Sequence, residues 1–168
     1  ALASLVLGMG LPVTAAYIVL AVVSAPALAE LITQSHLIEA FASGNVPEDA
    51  KAIFLLVAPE RIGEIGLPMS PEDASALLQL VPADFASTLS GAVLSPATLT
   101  AALLSAHLII FWLSQDSNVT PPVCLAAFSA AAVAKADPMK TGFAAWRIAK
   151  GLYVIPVLMA YTPLMSGD

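Results

Sequence analysis

The sequence predicts an all-α, polytopic integral membrane protein with discontinuous helices and re-entrant helical hairpins. Three observations predict it: a shortage of charge, four long uncharged runs, and glycine and proline breaks inside two of them. Of 168 residues, 59% are hydrophobic and 11% charged, with a mean hydropathy of +0.89. A soluble domain carries roughly 25% charged residues, so this chain lacks the polar groups to cover a water-facing surface. Residues 1–29, 85–115, 117–134 and 151–167 carry no charge. Nine of the twelve acids lie between Glu30 and Asp84 beside only Lys51 and Arg61, a net −7, and the remainder is +1. That balance reflects one acidic, water-facing segment. No basic patch with interleaved aromatics exists to take nucleic acid. A single cysteine, Cys124, excludes an internal disulfide. The chain begins at Ala1 within an apolar run and without a basic n-region, so it reads as a piece of a longer protein and not as a signal peptide.

The first segment, 1–29, is a broken apolar helix. Crossing hydrocarbon takes roughly 20 helical residues. Gly8-Met9-Gly10-Leu11-Pro12 interrupts the run, since glycine admits left-handed backbone and proline removes a donor. The piece from Pro12 to Pro26 would be only about 21 Å long.

The acidic segment, 30–98, reads as an insertion with short amphipathic helices near 47–58 and 71–81 lying at the surface, and one further apolar stretch. Pro47-Glu48-Asp49-Ala50-Lys51-Ala52-Ile53 is echoed by Pro71-Glu72-Asp73-Ala74-Ser75-Ala76-Leu77, and Val57 and Val81 keep the register. Proline followed by two acids suits a helix start, and Ser70 is placed to cap the second copy.

The third segment, 99–136, predicts a second hairpin. Helix 99–114 would meet Gln115-Asp116-Ser117-Asn118-Val119-Thr120-Pro121-Pro122. Paired prolines and polar residues form an unwound tip, and a short helix over 123–134 returns. The last segment, 137–168, is a transmembrane helix running to about Thr162-Pro163. Asp137 is its N-cap, Pro138 its first helical residue, and Pro156 a kink. Arg147 and Lys150 are placed to snorkel, and Trp146 and Tyr153 to anchor at an interface. Lys135, Lys140, Arg147 and Lys150 together suggest a cytoplasmic loop.

Broken helices expose carbonyls to cations and positive N-terminal ends to anions. A pair of Gly/Pro-interrupted apolar segments is the sequence pointer to a transporter's binding site. Other chemistry is weakly represented. His36 and His107 have no Cys, His or carboxylate partners at metal spacing. Ser4, Ser105 and Ser114 sit in no Gly-x-Ser-x-Gly elbow, which argues against a membrane hydrolase. No Gly-x-x-x-x-Gly-Lys phosphate loop exists to drive transport with ATP.

Three stretches are familiar as a set. Gly8-Met9-Gly10-Leu11-Pro12-Val13-Thr14-Ala15-Ala16-Tyr17, then Ser117-Asn118-Val119-Thr120-Pro121-Pro122-Val123 with Leu125-Ala126-Ala127, then Ala136-Asp137-Pro138-Met139-Lys140-Thr141-Gly142-Phe143 resemble, in order, signatures of the large membrane subunit of TRAP (tripartite ATP-independent periplasmic) transporters. The likeness is closest to the branch with fused small and large subunits and covers about 1–30 and 103–165. It implies an elevator-type secondary transporter in the bacterial inner membrane, coupled to sodium, with no other cofactor. A periplasmic solute-binding protein would deliver an organic acid of the dicarboxylate type, and a small membrane subunit would complete the assembly. The two tips would hold cation and substrate through Gly8, Gly10, Pro12, Thr14, Ser117, Asn118, Thr120 and Pro121. Asn118 stands where that pattern carries aspartate, and 31–98 replaces a shorter link. Both departures support a rival reading as a structural or assembly subunit without transport.

Overall fold

The computed structural model describes residues 11–161. The glycines of the first tip, Gly8 and Gly10, and the end of the last helix at Thr162-Pro163 lie outside them. The described residues are helical, with no strand among them, and the chain divides into two compact units. One comprises Glu30–Ala102; the other comprises Ala1–Ala29 with Leu103–Asp168.

Helix α1 (Val13–Val23) starts from Pro12, whose carbonyl accepts from the Ala16 amide at 2.9 Å. The predicted end at Pro26 is instead a bend. Pro26 has no N–H for the Val22 carbonyl, so the ladder fails there. The chain turns by 56° at Ser24 and continues as α2 (Ala25–Ala42). Helix α2 stops at Gly44, which has φ +74° and lies so close to Pro68 that a Cβ would stand 2.9 Å from its nitrogen. Only glycine fits both demands.

The Glu30–Ala102 unit contains most of α2, then α3 (Glu48–Val57), a 3-10 turn (Pro59–Glu64), α4 (Pro71–Leu78) and α5 (Ala83–Val93). The two repeat copies become α3 and α4. Ser70 caps α4 by accepting from the Asp73 amide at 3.1 Å, whereas Pro47 gives α3 no side-chain cap. The equivalent pairs Ala50 and Ala74, Ile53 and Leu77, and Phe54 and Leu78 are all buried. They join Leu37, Phe41, Ala58, Ile65 and Leu89 in one core, with Phe41 and Phe54 tilted against each other at 5.6 Å between ring centres. The segment is therefore a packed helical unit whose two repeat helices share one core. Burying a Phe or Leu side chain contributes about 1.5–3 kcal/mol, and repeating the pattern doubles the number of faces that supply one core. Helix α5 escapes the sequence reading because Ser, Thr and Gly dilute its periodicity. Its acids remain on the outside, where Lys51 bonds Glu48 at 2.7 Å and Arg61 bonds Glu64 at 3.1 Å.

In the other unit, α6 (Pro96–Ser114) brings the chain in, and a 3-10 turn (Gln115–Asn118) extends it. Together they form a 23-residue element long and apolar enough to cross a membrane, about 35 Å at the α-helical rise. The first arm is thus longer than the predicted 99–114, and Ser117 and Asn118 belong to its last turn. Only 119–124 is non-helical. Helix α7 (Leu125–Ala134) returns, and α8 (Pro138–Ile148) starts from Asp137, which accepts from the Lys140 amide at 2.8 Å. Helices α7 and α8 pack closely because Gly142 has no side chain. A Cβ there would meet Cys124 Sγ at 3.0 Å and Phe128 Cε1 at 3.4 Å. Small residues let membrane helices approach in this way.

The final span is not one α-helix kinked at Pro156. It runs through α8, a 3-10 stretch (Ala149–Tyr153) and α9 (Val154–Tyr161). A residue at 156 would normally bond the carbonyl at 152, and Pro156 cannot, so the distortion falls upstream of the proline. Pro138–Met159 still satisfies the length and composition of a span, and α1 with α2 counts as a third if the bent pair is one. Apolar stripes support this: Leu104, Leu108 and Phe111 are exposed on α6 while Ala106, Ile109, Ile110 and Leu113 are buried.

The packed acidic unit makes a direct prediction. Cysteines introduced as Glu48→Cys and Glu72→Cys will react readily with a membrane-impermeant thiol reagent. Ala50→Cys and Ala74→Cys, at positions with no exposed surface, will react only after denaturation. Equal reactivity of all four would mean separate surface helices.

Candidate functional site

The tip of the second hairpin is built from the end of α6 upward. Ser114 donates its hydroxyl to the Phe111 carbonyl at 2.7 Å, and Ser117 donates to the Ser114 carbonyl at 3.1 Å. Each hydroxyl uses its proton on backbone and keeps oxygen lone pairs as acceptors. Between them is Asp116, 1% exposed, the only charged residue between Asp84 and Lys135. Neither carboxylate oxygen has a hydrogen-bond partner among the described residues. The Asp116 carbonyl accepts from the Val119 and Thr120 amides at 3.1 and 2.8 Å, which closes the turn. Pro121 and Pro122 then offer no amide, and Cys124, with φ 40°, redirects the chain into α7.

The structure brings α1 against the 115–118 turn, so Pro12 and Thr14 begin a helix that packs on the element carrying Ser117 and Asn118. Thr14 is exposed and makes no side-chain hydrogen bond among the described residues, and Pro12 is exposed. Asn118 is half-buried and donates to the Gln115 side chain at 3.3 Å. Pro121 is half-buried; Ser117 and Thr120 are buried, the latter 3% exposed. Gly8 and Gly10 are outside the described residues. The breaks were expected to free backbone carbonyls, yet those of Pro12, Asp116 and Thr120 are engaged, the last by the Cys124 amide at 3.3 Å. The two carboxylate oxygens of Asp116 are buried at this tip without a partner among the described residues.

Several aromatic contacts escaped the sequence reading. The Leu152 carbonyl, released by Pro156, accepts the indole N–H of Trp112 at 3.0 Å. Tyr153, placed by sequence as an anchor, has its hydroxyl engaged within the protein. Its hydroxyl meets the Thr120 hydroxyl at 3.0 Å and accepts the Trp146 indole N–H at 3.1 Å. His107, which has no metal-ligand spacing in sequence, pairs with the Tyr17 hydroxyl at 3.2 Å, and Phe111 meets Tyr17 edge-on at 5.9 Å. Asp116 had a sequence signal in its isolation, whereas the aromatic contacts join residues 33 to 90 or more apart or depend on a local distortion and had none.

An apolar membrane helical unit with a proline-bounded turn, a buried carboxylate and hydroxyl oxygens is the architecture of a secondary-transport core. The sequence model described as "Tripartite ATP-independent periplasmic transporter, DctM component" matches residues 1–165, and the chain belongs to that family. The match runs through the acidic unit as well as the three signature stretches. No curated protein and no solved structure matches the chain. The protein is thus a membrane component of a TRAP transporter, a family of transport subunits that work with a periplasmic binding protein and a small membrane subunit.

The Pro156 argument predicts a double-mutant result. Trp112→Phe leaves the Leu152 carbonyl unpaired and will cost about 1–3 kcal/mol. In a Pro156→Ala background the restored amide can take that carbonyl, so the same substitution will cost less. Thermal unfolding in detergent measures both, and equal penalties would contradict the pairing.

Proposed function

We propose that this chain contributes the cation-binding core of a sodium-coupled, elevator-type permease for organic acids of the dicarboxylate class, in the bacterial inner membrane. The observation that carries the reading is Asp116, a buried carboxylate without a hydrogen-bond donor in a span. An isolated ionised carboxylate in apolar surroundings costs several kcal/mol unless it is neutralised or meets a cation. Its sequence neighbours Ser114 and Ser117 direct their hydroxyl protons to backbone carbonyls, so they supply lone pairs and no donor. Hydroxyl oxygens close in sequence to one carboxylate suit a small hard cation, and intramembrane carboxylates mark ion pathways. Ser117, Thr120 and the Asp116 carboxylate are the ligands in this proposal. Asn118 and Pro121 shape the turn. Gly8, Gly10, Pro12 and Thr14 belong to the facing tip, where the N-terminal end of α1 offers a positive dipole to a substrate carboxylate. The fused-subunit arrangement and delivery by a periplasmic solute-binding protein are what the resemblance in the three signatures implies.

Sodium dependence of organic-acid uptake by the assembled transporter in proteoliposomes tests this. Asp116→Asn will abolish sodium stimulation. Thr120→Ala will raise the sodium concentration for half-maximal uptake, and Asn118→Asp will lower it. Sodium curves unchanged in all three variants would remove the tip from the cation site.

A further inference from the structure

We infer that Tyr153 is a positioning residue for the tip: it holds the Thr120 hydroxyl and links cation occupancy to the 3-10 break in the final span. The inference rests on the cation reading of Thr120 and goes beyond it, because Tyr153 belongs to another element and touches no cation.

The geometry is specific. An indole N–H can only donate, so Trp146 fixes one lone pair of the Tyr153 oxygen. The remaining lone pair and the phenolic proton face Thr120 at 3.0 Å. Thr120 is the pivot of the turn: its amide bonds the Asp116 carbonyl and its carbonyl receives the Cys124 amide that starts α7. Its side chain is buried and has no other hydrogen-bond partner among the described residues. The orientation of that hydroxyl is therefore set from the final span.

Cation binding imposes a direction on this pair. An oxygen that coordinates a cation gives up a lone pair, and its hydroxyl proton must then point away and find an acceptor. The free lone pair of Tyr153 is that acceptor. Without the cation the same pair can reverse, with Tyr153 donating to Thr120. Tyr153 thus satisfies the hydroxyl in both states, and the acceptor role is needed only in the bound one. Because Tyr153 closes the 3-10 stretch that Pro156 displaces, the break gives the final span a conformation that can follow the tip.

Tyr153→Phe keeps the ring and removes the acceptor. In the assembled transporter the half-saturating sodium concentration will rise roughly fivefold, the size of one neutral hydrogen bond, while the substrate KM at saturating sodium stays unchanged. Stabilisation against heat by sodium in detergent, which requires no turnover, will shift to higher sodium by the same factor. Tyr153→Phe added to Thr120→Ala will cost little more than Thr120→Ala alone. A purely structural role would lower the unfolding temperature without sodium and leave the half-saturating concentration in place, which would overturn the proposal. So would additive effects in the double variant. If Thr120→Ala itself leaves the sodium curve unmoved, the cation reading has failed first and this inference falls with it.

Discussion

A backbone carbonyl or amide without a partner is expensive in hydrocarbon, and the described part of this chain is arranged around that constraint. Four prolines create the problem in three places. Pro26 ends the ladder of α1, and the helix restarts at an angle. Pro121 and Pro122 leave the turn after Thr120 without amides, and the Asp116 carbonyl collects the two amides just before them. Pro156 strands the Leu152 carbonyl, and Trp112 reaches across to satisfy it. In the last case the repair fixes the position of a side chain that the break alone would have left free. The last repair sets Tyr153, the next residue after Leu152, beside Thr120.

This dependence explains which parts of the fold the sequence disclosed. Local rules were legible: Ser70 and Asp137 cap the helices they were expected to cap, because a cap needs only residues three apart. The uncharged run 85–115 covers most of the candidate span Pro96–Asn118 for the same reason, since hydropathy is a property of a window. The bend at Pro26 and the 3-10 stretch at 149–153 were misread because proline was treated as a stop or a kink at its own position. Its effect lies four residues earlier, at the carbonyl it fails to satisfy. The pairing of Trp112 with Leu152 and of Thr120 with Tyr153 had no signature, because an aromatic residue near a helix break is equally suited to lipid contact.

The acidic unit shows a second limit. Its repeat was visible as two helix starts, and the matched burial of Ala50 with Ala74 and of Phe54 with Leu78 shows why it recurs. Each copy presents the same short face, and neither face can be covered by its own helix. What the repeat could not convey is that α2 and α5 complete the core, α5 with a face carried mainly by Leu89. The charge excess that suggested a loosely surface-bound segment belongs to the outside of a packed unit, where nine acids can be solvated without entering the core.

Charge inventory bears on the site as well. Between Asp84 and Lys135 the chain carries one charge, and it is buried with no donor. A carboxylate and a monovalent cation form a neutral pair, and a neutral pair can move through a low-dielectric region at far lower cost than either ion. In the proposed site, Asn118 keeps this balance by offering an uncharged amide. A second carboxylate at that position would need a second cation to stay neutral. In the proposed cation site, the single carboxylate of the tip would match a single monovalent charge. In that proposal the hydroxyl of Thr120, held by Tyr153 of the final span, is the ligand whose geometry the protein can adjust without altering that charge.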